Sequence, residues 1–200
     1  AREFLGDAVL GCVVADVLHR RDPEGEEGEK SRIRAHLVSA PSLARRAEEL
    51  GYDMIGIPEH LAVPPDDQHS GSFWLHSTTA QAAFAGATDK ILLNSCVTIL
   101  PLQHPILHAK ALATADWLSG GRMIVTFGLG SIRNEYDYFG VPWTERGAIA
   151  DEYIEAIIAL WTQERPSYEG KYIKFRDIGF DPKPVTKPHL PIWIGGDSKP

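Results

Sequence analysis

Glu59 and His60 stand side by side, a pairing suited to moving a proton. An imidazole changes charge near neutral pH, and an adjacent carboxylate can raise its basicity or fix which ring nitrogen carries the proton. A lone histidine is more often structural, so the weight of the pair depends on where the fold puts it. Gly128 and Gly130 form a Gly-x-Gly pair that would let backbone approach a planar cofactor, although by itself such a pair is an ordinary strand-end turn. Cys12 and Cys96 are the only cysteines. They are far apart and lack metal-ligand neighbours, so neither a disulfide framework nor a zinc site is expected. Nothing close to Cys96 in sequence would lower its pKa, which argues against a thiol nucleophile; its plain reading is a small core residue. Trp74, Trp143 and Trp193 could line a substrate cavity, though large aromatics more often pack in a core or rim. Trp74, in a long loop, is the best placed of the three.

The 200 residues are 44% hydrophobic and 24% charged, the make-up of a globular chain with material for a core. Lys and Arg number 20 against 27 Asp and Glu, a net charge of −7 without a basic cluster, which argues against nucleic acid as a partner. The most apolar early stretch, residues 8–18, contains Asp16, is too short to span a bilayer and lacks the flanks of a signal peptide. These features favour a cytoplasmic protein handling a small molecule, with no membrane contact and no bound metal.

The elements that must position such groups alternate along the chain. Residues 9–14 read as a buried first strand, and 20–34, charged and nearly devoid of apolar residues, as an exposed loop. Pro41, Leu43, Ala44, Ala47 and Leu50 mark a first helix ended by Gly51. Residues 54–57 give a second strand, 78–87 a short Ala-rich helix and 91–97 a third strand. Leu107, Ala111, Ala115 and Leu118 share a helical face before Gly120-Gly121, and 123–127 form a fourth strand. Ile149, Tyr153, Ala156, Ile157, Leu160 and Trp161 mark another helix. Residues 163–190 form an insertion containing a hairpin near 167–175, and 191–194 a fifth strand. The alternation demands a mostly parallel sheet in one domain over 1–200, either doubly wound or a barrel. No dinucleotide fingerprint follows the first strand, which disfavours the doubly wound choice.

Several motifs decide between the two. Asp116-Trp117-Leu118-Ser119-Gly120-Gly121-Arg122 is followed by Phe127-Gly128-Leu129-Gly130, Asn134-Glu135-Tyr136, Phe139-Gly140-Val141-Pro142 and Arg146. Pro182-Lys183-Pro184-Val185 and Pro188-His189-Leu190-Pro191-Ile192-Trp193-Ile194-Gly195-Gly196 come later. In this order, over residues 42–196, they resemble the luciferase-like monooxygenases, most of all their coenzyme F420-dependent branch.

The resemblance implies a (β/α)₈ barrel with its active site at the C-terminal ends of the strands. It implies His60 as the catalytic proton-transfer residue with Glu59 as its orienting partner. Ser95, Cys96, Gly128 and Gly130 become cofactor contacts, with a cis peptide between Ser95 and Cys96 behind the ring. Arg122, Glu135, Arg146 and Asp116 match fixed family positions, and ion pairs or caps are the expected use of such charges. The implied function is oxidation or reduction of a small organic substrate, by hydride transfer with F420. The alternatives are an FMN-dependent monooxygenase served by a separate reductase, and a non-catalytic flavin-binding or interaction protein. A homodimer is the family habit. Luciferase has Cys where Gly130 stands, and the sugar-phosphate dehydrogenases of the F420 branch have a catalytic Glu where Ser131 stands, so neither substrate carries over. Five strands fall short of eight, so the expectation is a barrel truncated before the loops that commonly hold a cofactor phosphate.

Overall fold

A computed structural model describes residues 40–65 and 74–196. The strand expected at 9–14 and the loop expected at 20–34 lie outside them. Helix α1 (Ala40–Glu49) carries Pro41 in its first turn and ends at Gly51, whose φ of 81° suits a residue without a Cβ. Strand β1 (Met54–Ile57), helix α2 (Ser77–Ala85), strand β2 (Leu92–Ile99), helix α3 (Pro105–Ser119) and strand β3 (Met123–Gly128) follow. Helix α4 (Arg133–Phe139), helix α5 (Arg146–Thr162), the two-residue strands β4 (Tyr168–Glu169) and β5 (Lys174–Phe175), and strand β6 (Ile192–Ile194) complete the order.

The main sheet runs β1-β2-β3-β6, and all of its pairs are parallel. Each strand is added on the same side as the last. Right-handed crossovers then put every helix on one face, the arrangement of a barrel wall and not of a doubly wound sheet. Side chains alternate accordingly. Leu93, Val125 and Phe127 are buried in one core with Leu112, Ala113, Ile157, Leu160 and Trp161 from the helices. On the opposite face Met54 and Leu92 remain more than a third exposed and Trp193 about half. The sheet is open among the described residues, with β1 and β6 at its edges.

The end of the sheet where the strands begin is fastened by charges. The Arg122 guanidinium donates to the carbonyls of Ser119, Ile91, Ala85 and Thr88 and to the Thr88 hydroxyl, at 2.7–3.0 Å. Glu48 accepts the amides of Asp89, Lys90 and Ile91. The Asp89 amide is the main reason its carboxyl is held below the usual range, against the opposing effect of partial burial. Asp116, fully buried, accepts from the Thr186 amide and hydroxyl at 2.9 and 3.0 Å. The segment after α5 is more than an excursion. Its hairpin pairs Tyr168 with Phe175, and the amides of Lys171, Tyr172 and Ile173 converge on Glu152. Beyond it, Phe180 and Leu190 enter the main core.

Candidate functional site at the strand ends

At the other end of the sheet, the chain leaving β1 sends Glu59 and His60 to different neighbours. Glu59 is 4% exposed and its carboxylate accepts four hydrogen bonds. The Ser77 amide and hydroxyl donate at 2.9 and 2.7 Å, the Gln103 amide group at 2.9 Å and the Ile99 amide at 3.4 Å. A carboxylate at the start of α2 is well placed against the helix dipole. Glu59 therefore knits β1, α2 and the end of β2 together and does not bond the His60 ring. The orienting partner expected from sequence is wrong on this point.

The partner of His60 is Glu135, 75 positions away on α4. His60 Nδ1 lies 2.9 Å from Glu135 Oε2, while Glu135 Oε1 accepts the amides of Leu61 at 2.7 Å and Ala62 at 3.2 Å. Burial would raise the Glu135 pKa, but the hydrogen bonds from His60, Leu61 and Ala62 outweigh it and hold the carboxyl below its usual range. The imidazole retains 18% exposure against 1% for the carboxylate, and the Trp74 ring meets it edge-on with centroids 4.8 Å apart. Glu135 was expected to serve an ion pair or cap. It does hold the loop, yet it also reaches the one imidazole at this end of the sheet that sequence singles out.

Below Glu135 the support is dense. Tyr136 is fully buried, its hydroxyl donates to the Leu129 carbonyl, and burial pushes its pKa up to about 12. Trp143 packs edge-on against Tyr136 at 5.0 Å, and the Arg146 guanidinium sits 3.8 Å over the Trp143 ring. Trp143 is thus packing material under α4. Trp193 stands half exposed on the open sheet face.

The end of β2 departs from expectation by one residue. The cis peptide joins Cys96 to Val97, not Ser95 to Cys96. The ladder with β3 pairs Cys96 with Thr126 and then Thr98 with Phe127, so Val97 is bulged out of register. Ser95 is fully buried, and its hydroxyl accepts the Thr126 amide at 3.1 Å. Cys96, expected in the plain reading to be a core residue, is exposed on the helix-free face.

Gly128 and Gly130 serve the chain's own packing. A Cβ at Gly128 would stand 2.6 Å from Val97 Cγ2, and one at Gly195 would also collide with Val97. The bulged Val97 side chain therefore fills the space that sequence reading reserved for a cofactor beside Gly128. Gly130 has a φ of 70°, and a Cβ there would press on Ile99. A cavity of about 270 Å³ opens at these strand ends, lined among others by Phe127, Gly128, Leu129, Ile154, Gly195 and Gly196, while His60 with Trp74 beside it and Cys96 keep exposed surface.

The sequence pattern of the luciferase-like monooxygenases matches residues 17–200, and the chain belongs to that family. The FMNH2-dependent dimethylsulfone monooxygenase of Pseudomonas putida is 33% identical over 162 residues, which make up 78% of this chain and 43% of that protein. Monooxygenase RslO1 of Streptomyces bottropensis superposes with a TM-score of 0.72 at 29% identity, over 78% of this chain and 46% of its own. An F420-dependent secondary alcohol dehydrogenase, solved with an F420-acetone adduct, superposes with a TM-score of 0.67 over 78% of this chain and 47% of its own. At 24% identity that likeness speaks to the fold alone. The sheet is accordingly part of a luciferase-like barrel. The chain spans between 43% and 60% of the length of these curated relatives and others like them. No helix among the described residues is long and apolar enough to cross a membrane.

Proposed function

We propose that the chain forms the strand-end surface that holds a flavin-type ring in an oxidoreductase acting on a small organic substrate, with His60 as the proton-transfer residue. The carrying observation is the His60–Glu135 contact of 2.9 Å, which leaves the imidazole partly exposed at the end of the sheet where Cys96 is also exposed. A planar ring fits a site of this composition. Cys96 and the backbone at Val97 would lie behind it, Trp74 and His60 at its edge. Gly128 and Gly130 would act one layer back, by letting Val97 and Ile99 take their seats. When bound, such a ring supplies the redox centre; the residues of this chain supply orientation, exclusion of water and a proton acceptor or donor.

The Pro-rich segment from Lys183 to Gly196 and the Glu59-His60 pair, which resemble the F420 branch, favour F420 and hydride transfer. The 33% identity to an FMNH2-dependent monooxygenase favours FMN, with a separate reductase as partner. The deciding measurement is the absorbance spectrum and mass of the ligand released from the full-length protein, followed by titration with reduced FMN and reduced F420. Binding of one of them, with substrate turnover that His60→Asn abolishes, is the expected result. A protein that binds neither would overturn the proposal, and binding without turnover on any substrate would favour a non-catalytic flavin-binding protein.

A further inference from the structure

We infer that Glu135 is a positioning residue: its carboxylate holds the His60 ring in the tautomer that carries the proton on Nδ1, leaving Nε2 as the acceptor atom available to a ligand. The inference rests on the reading of His60 as the proton-transfer group.

The argument is one of hydrogen-bond capacity. An ionised carboxylate only accepts, and a neutral imidazole has one donor nitrogen and one acceptor nitrogen. Glu135 Oε1 is occupied by two backbone amides, and Oε2 faces Nδ1 at 2.9 Å, within the range of a charge-assisted bond. Nδ1 must therefore donate. The alternative carboxylate, Glu59, is engaged by Ser77, Gln103 and Ile99, and its only other basic neighbour among the described residues is His76 at 4.0 Å. Trp74 meets the ring edge-on and carries no charge that would compete.

Holding the loop does not by itself require a carboxylate. A glutamine could accept the Leu61 and Ala62 amides through its own oxygen, without the desolvation cost of a charge whose side chain is 1% exposed. What glutamine cannot do is accept from Nδ1 at the same time. Turning its amide over would set an NH2 group against two backbone donors. The second carboxylate oxygen is thus accounted for by the ring. The helix that bears it is anchored by the buried Tyr136, Trp143 and the overlying Arg146, so the carboxylate is held by a rigid support.

The test compares Glu135→Gln with the wild type in the full-length protein, with 15N-labelled histidine and long-range 1H–15N correlation of the ring nitrogens. His60→Asn identifies the His60 signals by their disappearance. The expected result is Nδ1–H in the wild type and Nε2–H in Glu135→Gln, with a melting temperature lowered only by the lost contribution of the ionised carboxylate, because the loop amides keep their acceptor. In whichever of reduced FMN or reduced F420 supports turnover, kcat of Glu135→Gln should fall roughly 10²-fold with little change in KM. An Nδ1–H ring in Glu135→Gln would overturn the inference, as would a switched tautomer with unchanged kcat in an enzyme that His60→Asn inactivates. Full turnover in His60→Asn would instead remove the proton-transfer role of His60, and the tautomer measurement would stand apart from it.

Discussion

The two ends of the parallel sheet use charged side chains in opposite ways. Where the strands begin, Arg122, Glu48 and Asp116 spend their bonding capacity on the chain itself, on carbonyls, amides and two threonine hydroxyls. Where the strands end, Glu135 divides its two oxygens between the loop and His60, and the imidazole keeps a second nitrogen without a hydrogen-bond partner among the described residues and part of its surface exposed. A charge with every position filled from within is a fastening. One whose partner retains an open atom can act on something else. Glu59 shows that location alone does not decide this, because it lies next to His60 in sequence and is bonded entirely into the scaffold.

The contrast can be broken most severely through His60. His60→Asn should lower turnover by roughly 10²–10⁴-fold, as expected for a general acid–base group, while shifting the urea midpoint by less than about 1 kcal/mol equivalent. Arg122→Met should do the reverse, costing about 3 kcal/mol in urea unfolding by leaving several carbonyls without a donor. Turnover per folded molecule should be unaffected. If the two variants lost stability equally, the division between the ends would fail. Gly128→Ala probes the boundary between them. Its new methyl must displace Val97, an overpacking worth about 1–3 kcal/mol, and Val97→Ala in the same chain should restore part of the loss in a double-mutant cycle.

The smallest effect near neutral pH belongs to two buried groups that titrate in different windows. His108 lies in the helix layer with its Nε2 lacking a hydrogen-bond partner among the described residues, and burial, aided by the charge of His76, pushes its pKa down from 6.5 to about 3. The unfolded chain then binds the proton more readily, so stability should decline as pH falls below 6.5 and continue to decline toward 3. His108→Phe should flatten that slope in pH-dependent urea unfolding. The Glu135 carboxyl is also lowered, from 4.5, so its contribution is complete above that value and is lost only as pH falls below it. Glu135→Gln should therefore leave the slope between pH 6.5 and 4.5 intact and reduce the acid loss beneath it. A change confined to the upper window would contradict the assignment.

Much of the scaffold could be read from local pattern. Helix α5 and strand β3 announce themselves by apolar period and by a run buried on both faces, and Gly120 marks the end of α3, but the α3 face expected from Leu107, Ala111, Ala115 and Leu118 is not the buried one: Leu107 and Leu118 are exposed, while Ala109, Leu112 and Ala113 are buried. Strand β2 starts one residue later than its pattern suggests and runs two residues further, to Ile99, because the bulge at Val97 hides the continuation of the ladder. Helix α4 went unrecognised as an element, since seven residues with few apolar positions carry no period to detect.

By itself, the sequence determined that the chain is an alternating α/β polypeptide of the luciferase-like family and that His60 falls just beyond a strand. Hydrophobic period and turn residues are local quantities, and they mark where helices and strands lie even where, as on α3, the buried face is a different one. Only the tertiary structure decided which acid serves the imidazole. Glu59 is adjacent but lies against the start of α2, and Glu135 is distant but is carried over the loop after β1 by the buried Tyr136. The same holds for Val97, whose seat on Gly128 and Gly195 joins three strand ends that no spacing along the chain relates. Such contacts depend on how neighbouring strand ends are juxtaposed in space, and chain adjacency carries no information about that.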